Sequence, residues 1–451
     1  MRQPADVERW IYASYMDARP HIKETLDEHV RRPQLTRRLL DCVEAPDRSM
    51  RNVTVTGSKG KGSTSVLLKH ILQAHGLKVG LFTSPHLVHF TERIRVNESD
   101  IVPEAFLRLG RAVRRATEQF APHLAKDEYF GPVGLTAIIA ALYFQEQRTD
   151  VNVWECGRGA LYDDVNQIAH ERAVITPIFA EHLPYFGPSL RDVVRHKAGV
   201  VTPSVHAVYV GRQSDIARRE LATYVNDRTD RRSVWLDRER DVRLANLRSG
   251  AEGVQFDVVT ARAAYNDLRL PLLGAFQAEN AALAIAVAEG VLESRLRSED
   301  VRQALGNVTW PGRLELVSSD PPVLVDGTIH RRSAVHVAEA LTILSRNQGM
   351  QNKGILVVGI PADKDYKGVL EVLAPLARKV IWTTTNRDYL KFPHDALDVA
   401  EAFISQVQLE EDAETAFREA LTQLRPDEWL AIVGTQSLVG EAQTFFKKEE
   451  S

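Results

Sequence analysis

Short apolar runs rich in β-branched residues alternate with longer stretches of helical periodicity along most of the chain. Asn52 to Thr56 (NVTVT), Val79 to Thr83 (VGLFT), Val151 to Glu155 (VNVWE), Ala173 to Thr176 (AVIT) and Val205 to Val210 (VHAVYV) read as buried strands. Thr64 to His75 and Leu135 to Gln147, which lie between them, read as amphipathic helices. Such alternation predicts parallel strands joined by right-handed helical crossovers, so the expected core is a doubly wound, mostly parallel α/β sheet. Ligands then belong at the carboxyl ends of its strands.

From about Gly211 to Leu270 the pattern changes to a polar, Arg-rich segment and then to alternating runs such as Val254 to Val259 (VQFDVV), which predicts a β-rich appendage. A helical stretch, Gln277 to Leu292, leads to Trp310, Pro311 and Gly312, a hinge by composition. Strand-like runs then return at Val323 to Asp326, Ile355 to Gly359, Val380 to Thr384 and Leu430 to Gly434. The reading divides the chain into a first domain, residues 1–307, with the appendage near 211–270, and a second, smaller Rossmann-like α/β domain, residues 308–451.

Composition narrows the class. The 451 residues are 44% hydrophobic and 26% charged, the usage of an ordinary globular protein. Lys plus Arg number 57 against 60 Asp plus Glu, and no basic block suggests a nucleic-acid surface. The N-terminal residues mix charge and proline, unlike a signal peptide, and no stretch approaches the roughly 20 apolar residues of a membrane span. The two cysteines, Cys42 and Cys156, form no metal motif and read as buried small hydrophobes. A cytoplasmic protein with no membrane partner is expected, and a monomer or weak oligomer.

The first strand runs into Gly57-Ser58-Lys59-Gly60-Lys61-Gly62-Ser63-Thr64. Glycines there let backbone N–H groups and a helix N-terminus face a phosphate, while Lys61 adds a mobile positive charge. Ser63 or Thr64 can offer a hydroxyl to magnesium. The spacing is not the full GxxxxGK pattern followed by Ser or Thr, because Gly57 stands three positions before Gly60.

This loop and the residues around it resemble the folylpolyglutamate synthase and dihydrofolate synthase family of the Mur ligases. The resemblance runs through Thr83-Ser84-Pro85-His86-Leu87, Glu92-Arg93-Ile94, Glu155-Cys156-Gly157-Arg158-Gly159, His182, Phe186-Gly187-Pro188-Ser189-Leu190 and Lys197-Ala198-Gly199. It continues through Leu273-Gly274 with Gln277 and Asn280, Pro311-Gly312-Arg313-Leu314-Glu315, Asp326-Gly327, Asp363-Lys364-Asp365 and Leu438-Val439-Gly440-Glu441. It implies a Mur-ligase-like P-loop domain followed by a smaller ligase domain. It also implies an ATP- and magnesium-dependent ligase that activates a carboxylate as an acyl phosphate and joins it to an amine. Small-molecule carboxylate and amino acid substrates follow.

On that resemblance Ser63, Ser84, Glu155 and His182 match positions that hold one or two magnesium ions or line their site. Gly57 through Thr64, with Gln277, Asn280, Arg313 and Asp326, match nucleotide-binding positions. Lys197 matches a lysine that is carbamylated in related ligases. Arg313 offers a guanidinium fork for the transferring phosphoryl group, and Lys61, His182, Lys197, Arg313 and His330 form the expected catalytic set.

The chain also departs from the family. Where Asp-Gly-Ala-His-Asn-Pro is usual it reads Asp326-Gly327-Thr328-Ile329-His330-Arg331-Arg332, which displaces the histidine and replaces the Asn-Pro pair by arginines. Val133 stands in place of a usual glutamate, Ala160-Leu161-Tyr162-Asp163 in place of Gly-Arg-Leu-Asp, Glu181 in place of an aspartate and Phe276 in place of a histidine. Retained phosphate chemistry with altered recognition leaves three readings. One is a folate ligase that adds L-glutamate. Another is a Mur-type amide ligase recruited to a different carboxylate and amine in a specialised pathway. The third is a catalytically silent nucleotide-binding protein.

Overall fold

The structure is a computed structural model and describes residues 1–226, 232–236, 241–347, 353–385 and 390–449. Its strands are β1 Asn52–Thr56, β2 Val79–Phe82, β3 Ile94–Val96, β4 Ser99–Asp100, β5 Val151–Glu155, β6 Arg172–Ile175, β7 Ala207–Val210 and β8 Arg232–Trp235 in the first sheet. β9 Val242–Gly250, β10 Gly253–Thr260 and β11 Ala264–Leu270 form a three-stranded antiparallel sheet. β12 Glu315–Ser319, β13 Pro322–Asp326, β14 Gly354–Gly359, β15 Ala377–Trp382, β16 Val407–Leu409 and β17 Leu430–Gly434 form the third.

The first sheet has the order β4-β3-β2-β5-β1-β6-β7-β8. Its pairs from β2 through β8 are parallel, and only β3 and β4 at one edge run antiparallel. Helices cover both faces, so β1, β2, β5, β6 and β7 are buried at every residue, as unbroken apolar runs require. One cluster, including Phe82, Phe106, Phe144 and Trp154, fills one side. Another, including Leu67, Ile71 and Ile285 with Phe256 and Tyr265 of the antiparallel sheet, fills the other. The apolar surface so removed from water is the main stabilising term of each layer.

The third sheet has the order β12-β13-β17-β14-β15-β16, parallel except for the β12 hairpin arm. Its two faces are filled by separate clusters. The last helix, Gln436–Glu449, lies against the first domain: Gly440 is so close to the Leu87 backbone that a Cβ would collide with its carbonyl. Gln443 of the same helix donates to Glu315 just after the hinge.

Two expectations change. The β-rich appendage is narrower than read, because the segment after Gly211 carries the helix Asp215–Asn226 and β8, which joins the first sheet; the separate sheet begins at Val242. Cys156 is buried, but Cys42 closes the helix Pro33–Cys42 on its solvent side and is exposed. Among the described residues no helix is long and apolar enough to cross a membrane.

Candidate active site

β1 lies between β5 and β6, with Val55 opposite Glu155 and Thr56 opposite Ile175, so the turn after Thr56 emerges at the middle of the sheet's carboxyl edge. Gly57 has φ +141° and a Cβ there would collide with the Thr176 side chain. Gly60 has φ +87° and a Cβ there would lie 2.5 Å from Asn280 Oδ1. Only glycine meets both demands, the left-handed backbone and the close approach. The turn delivers the chain into the helix Lys61–Ala74, whose first amide groups have no intrahelical acceptor. Those donors and the helix dipole make a phosphate cradle.

Lys61 Nζ donates to the Gly57 carbonyl at 3.0 Å, and Lys197 Nζ donates to the same oxygen at 2.8 Å. Lys197 comes from the last turn of the helix Leu190–Ala198, which starts at a capping box between Ser189 and Asp192. A helix lysine is normally solvated, yet this one is 1% exposed and reaches inward to Glu181 Oε1 at 2.9 Å. Burial pulls the Lys197 ammonium below its usual range against the pull of Glu181. Burial also opposes ionisation of Glu181, but Lys197, Lys61 and His182 together outweigh it and hold the carboxyl down to about 2.

Glu155 closes β5 and is buried, and its Oε2 accepts the Ser84 N–H at 3.1 Å. Burial pushes its carboxyl up, with Lys61 and Arg313 opposing. Gly62 faces this carboxylate, since a Cβ there would stand 3.5 Å from Oε2, and buried Ser63 follows it in the first turn. His182 sits at φ +54° ahead of the short helix Leu183–Phe186, its ring beside Tyr185 and Phe186. Burial, helped by the Lys197 charge and opposed by Glu181, draws its pKa down to about 4, so the imidazole is neutral with a lone pair to offer.

Gln277 and Asn280 are both buried on the helix Phe276–Leu292. Asn280 donates to Gln277 Oε1 at 3.0 Å and accepts from Thr64 at 3.4 Å. Gln277 Nε2 is buried with no hydrogen-bond partner. An orphan donor beside the phosphate loop fits a nucleotide that supplies the missing acceptor. Lys59 is exposed in the cleft, close enough to Arg313 to feel its charge. Arg313, 6.0 Å over the Trp310 ring, stands beside Gly327 and Gln436, so the second domain contributes a cation to the same cleft.

Asp326 behaves differently. Its two oxygens accept from the Leu314 N–H at 2.9 Å and from the Thr328 hydroxyl, so its carboxylate holds the hinge strand ends together. His330 packs on the Phe179 ring at 5.6 Å and lies 3.8 Å from Asp365. Burial draws its pKa down, with Asp365 opposing. Lys364 pairs with its neighbour Asp363 at 2.8 Å. The expected residues from the phosphate loop, Ser84, Glu155, His182, Lys197 and Arg313 thus converge on one cleft. Phe179 and Trp310, which sequence reasoning did not assign to the site, also line the cleft; the only clues available were that Phe179 lies three residues beyond the strand run ending at Thr176 and that Trp310 opens the hinge. Among the described residues no group of three His, Cys, Asp or Glu gathers to hold a metal by itself.

Comparison with known proteins agrees with this arrangement. The Mur ligase middle domain family matches residues 55–288, and the Mur ligase, glutamate ligase domain family matches residues 312–436. The dihydrofolate synthase/folylpolyglutamate synthase of Bacillus subtilis is 28% identical over 97% of this chain and 100% of its own length. The folylpolyglutamate synthase of Lacticaseibacillus casei is 30% identical over 80% of this chain and 81% of its own. The Mycobacterium tuberculosis folylpolyglutamate synthase solved with ADP superposes with TM-score 0.84 at 26% identity, covering 93% of this chain and 96% of that one. A folylpolyglutamate synthase solved with AMPPCP and folate gives TM-score 0.76 at 25% identity, with 98% of each chain covered. With matching domains in matching order and relatives that extend over nearly its whole length, the chain belongs to the folylpolyglutamate synthase and dihydrofolate synthase family of the Mur ligases.

Proposed function

We propose that this chain is an ATP- and magnesium-dependent ligase that joins L-glutamate to the carboxylate of a folate or its dihydropteroate precursor. The observation that carries the reading is the convergence of Lys61 and Lys197 on the Gly57 carbonyl, with Glu155 beside the same loop and Arg313 entering from the second domain. Amide formation in water needs a leaving group on the carboxylate, and transfer of a phosphoryl group from ATP provides one as an acyl phosphate. Lys61 and the helix amides neutralise and orient the phosphates, and Arg313 meets charge that develops on the transferring group.

Magnesium, when bound, neutralises phosphate oxygens, and Ser63, Ser84, Glu155 and neutral His182 are the residues that would hold one or two such ions. A donor set with one carboxylate suits an ion that takes its remaining ligands from phosphate and water. Lys197 is suited to carbamylation: its lowered pKa eases loss of the ammonium proton, after which the nitrogen would bond to the carbon of carbon dioxide with loss of a further proton. A cleft of ≈ 220 Å³ between the loop Pro85–Val88, Trp310, Arg313 and Gln436 offers room for the organic part of the carboxylate substrate. Two domains sharing one site favour closure before chemistry, which excludes water from the activated carboxyl. A cytoplasmic monomer or weak oligomer suits such work.

The test is to incubate the purified chain with ATP, magnesium, L-glutamate and either dihydropteroate or a reduced folate, and to weigh the products. A gain of one glutamyl residue supports the reading. ADP release that never depends on either pterin, with unchanged pterin mass, would contradict it and favour another carboxylate.

A further inference from the structure

The two arginines that open the helix Arg331–Asn347 part company in the structure. Arg331 turns outward, its guanidinium paired with Glu371, while its backbone N–H donates to Asp365 at 2.9 Å. Arg332 turns across the cleft and stands over the ring of Phe179, 5.0 Å from the centroid. Phe179 belongs to the first domain, and its N–H donates to Ser58 Oγ of the phosphate loop at 3.1 Å. Phe179 is therefore anchored through its backbone to the loop where the carboxylate would be activated, and Glu181 and His182 follow in the chain after Ala180.

A guanidinium spread over an aromatic face keeps its in-plane N–H fork free for a carboxylate. Arg332 is exposed to the cleft, and among the described residues no carboxylate pairs with it. His330 packs on the same ring with Lys59 nearby, and together they form one wall of the cleft. An amino acid whose amine enters between this wall and Glu181 would carry its carboxylate to the Arg332 fork.

We infer that Arg332, braced on Phe179, selects the acceptor amino acid by binding one of its carboxylates. This rests on the ligase reading above. It assigns to this chain's own arginine the recognition of the amine substrate, and it leaves Arg331 outside the site.

The experiment measures kcat and KM for L-glutamate, L-glutamine and the α-amide of glutamate in the wild type and in Arg332→Met, Arg332→Lys, Phe179→Leu and Arg331→Met. Arg332→Met is expected to raise KM for L-glutamate roughly 10- to 100-fold, the loss of a charge-assisted bidentate contact, with KM for ATP unchanged. Arg332→Lys and Phe179→Leu should fall between it and the wild type, and Arg331→Met should match the wild type. Loss of discrimination against glutamine alone would place the side-chain carboxylate on Arg332, and loss against the α-amide alone the main-chain carboxylate. Hydroxylamine offered in place of the amino acid gives a control, because carboxylate-dependent hydroxamate formation needs activation but no acceptor recognition. It should proceed equally in the wild type and Arg332→Met. An unchanged glutamate KM in Arg332→Met, with hydroxamate still formed, would overturn the inference alone. Absence of hydroxamate in the wild type would overturn the ligase reading and the inference with it.

Discussion

Lys197 Nζ lies 2.9 Å from Glu181 Oε1, a buried ion pair whose ammonium also donates to the Gly57 carbonyl at 2.8 Å. The pair ties the helix Leu190–Ala198 to the phosphate loop, so removing either partner leaves the other charge buried without compensation. Glu181→Gln and Lys197→Met are each expected to destabilise the chain by about 3 kcal/mol. The double variant should cost clearly less than the two singles together, because both charges leave at once. Urea unfolding of the four proteins closes the cycle; additive losses would show that the pair does not couple.

Lys61→Ala should lower kcat by at least about a hundredfold, the scale of losing one preorganised charge at a phosphoryl group. Its side chain is half-buried and bonded only to a loop carbonyl, so the thermal midpoint should stay near that of the wild type. Phosphate release and a thermal melt check both halves; wild-type turnover would remove Lys61 from the chemistry.

Gln277→Met separates nucleotide binding from folding. The substitution removes the orphaned Nε2 donor, a folding cost, but also the Oε1 that accepts from Asn280, so the two effects oppose and stability without nucleotide should stay within about 1 kcal/mol of the wild type. The KM for ATP should rise about tenfold, since the donor's partner in the complex is lost. An unchanged KM would show that the donor faces no nucleotide.

Asp164 gives a pH signature away from the chemistry. Burial pushes its carboxyl up to about 6 despite Arg31 and the Thr36 hydroxyl, which donates to it at 2.7 Å. Between about pH 4 and pH 6 the folded chain keeps a proton that the unfolded chain has lost, so this group's contribution to stability falls as pH rises through that window. Asp164→Asn carries no such charge. Relative to wild type, its stability should therefore improve by about 2 kcal/mol from pH 4 to pH 7. Urea unfolding at both pH values reads the difference, and parallel curves would mean Asp164 is ionised normally.

Strands β1 and β5 were legible to the residue, because continuous apolar runs between polar turns admit few alternatives. The phosphate loop was legible because glycines and a lysine between strand and helix have a specific physical use. Lys197 was ambiguous: its helix reads as a solvated face, and only the fold shows that the last turn points inward to Glu181. The arginines at 331 and 332 were equivalent in the sequence, since which of two adjacent helix-start residues faces a cleft depends on the neighbouring domain. Asp326, read as a nucleotide residue, also has a local use that sequence spacing cannot reveal, since its oxygens accept from Leu314 and Thr328. Phe179 acquires its role only from tertiary contact with Arg332 and Ser58.

The most direct test of carboxylate activation follows a heavy-oxygen label placed in the carboxyl group of the pterin substrate during turnover with ATP, magnesium and L-glutamate. Attack of the amine on an acyl phosphate breaks the bond between the carbonyl carbon and the bridging oxygen, so one labelled oxygen should appear in each inorganic phosphate released. Phosphate free of label, with product still formed, would contradict activation by phosphoryl transfer in this cleft.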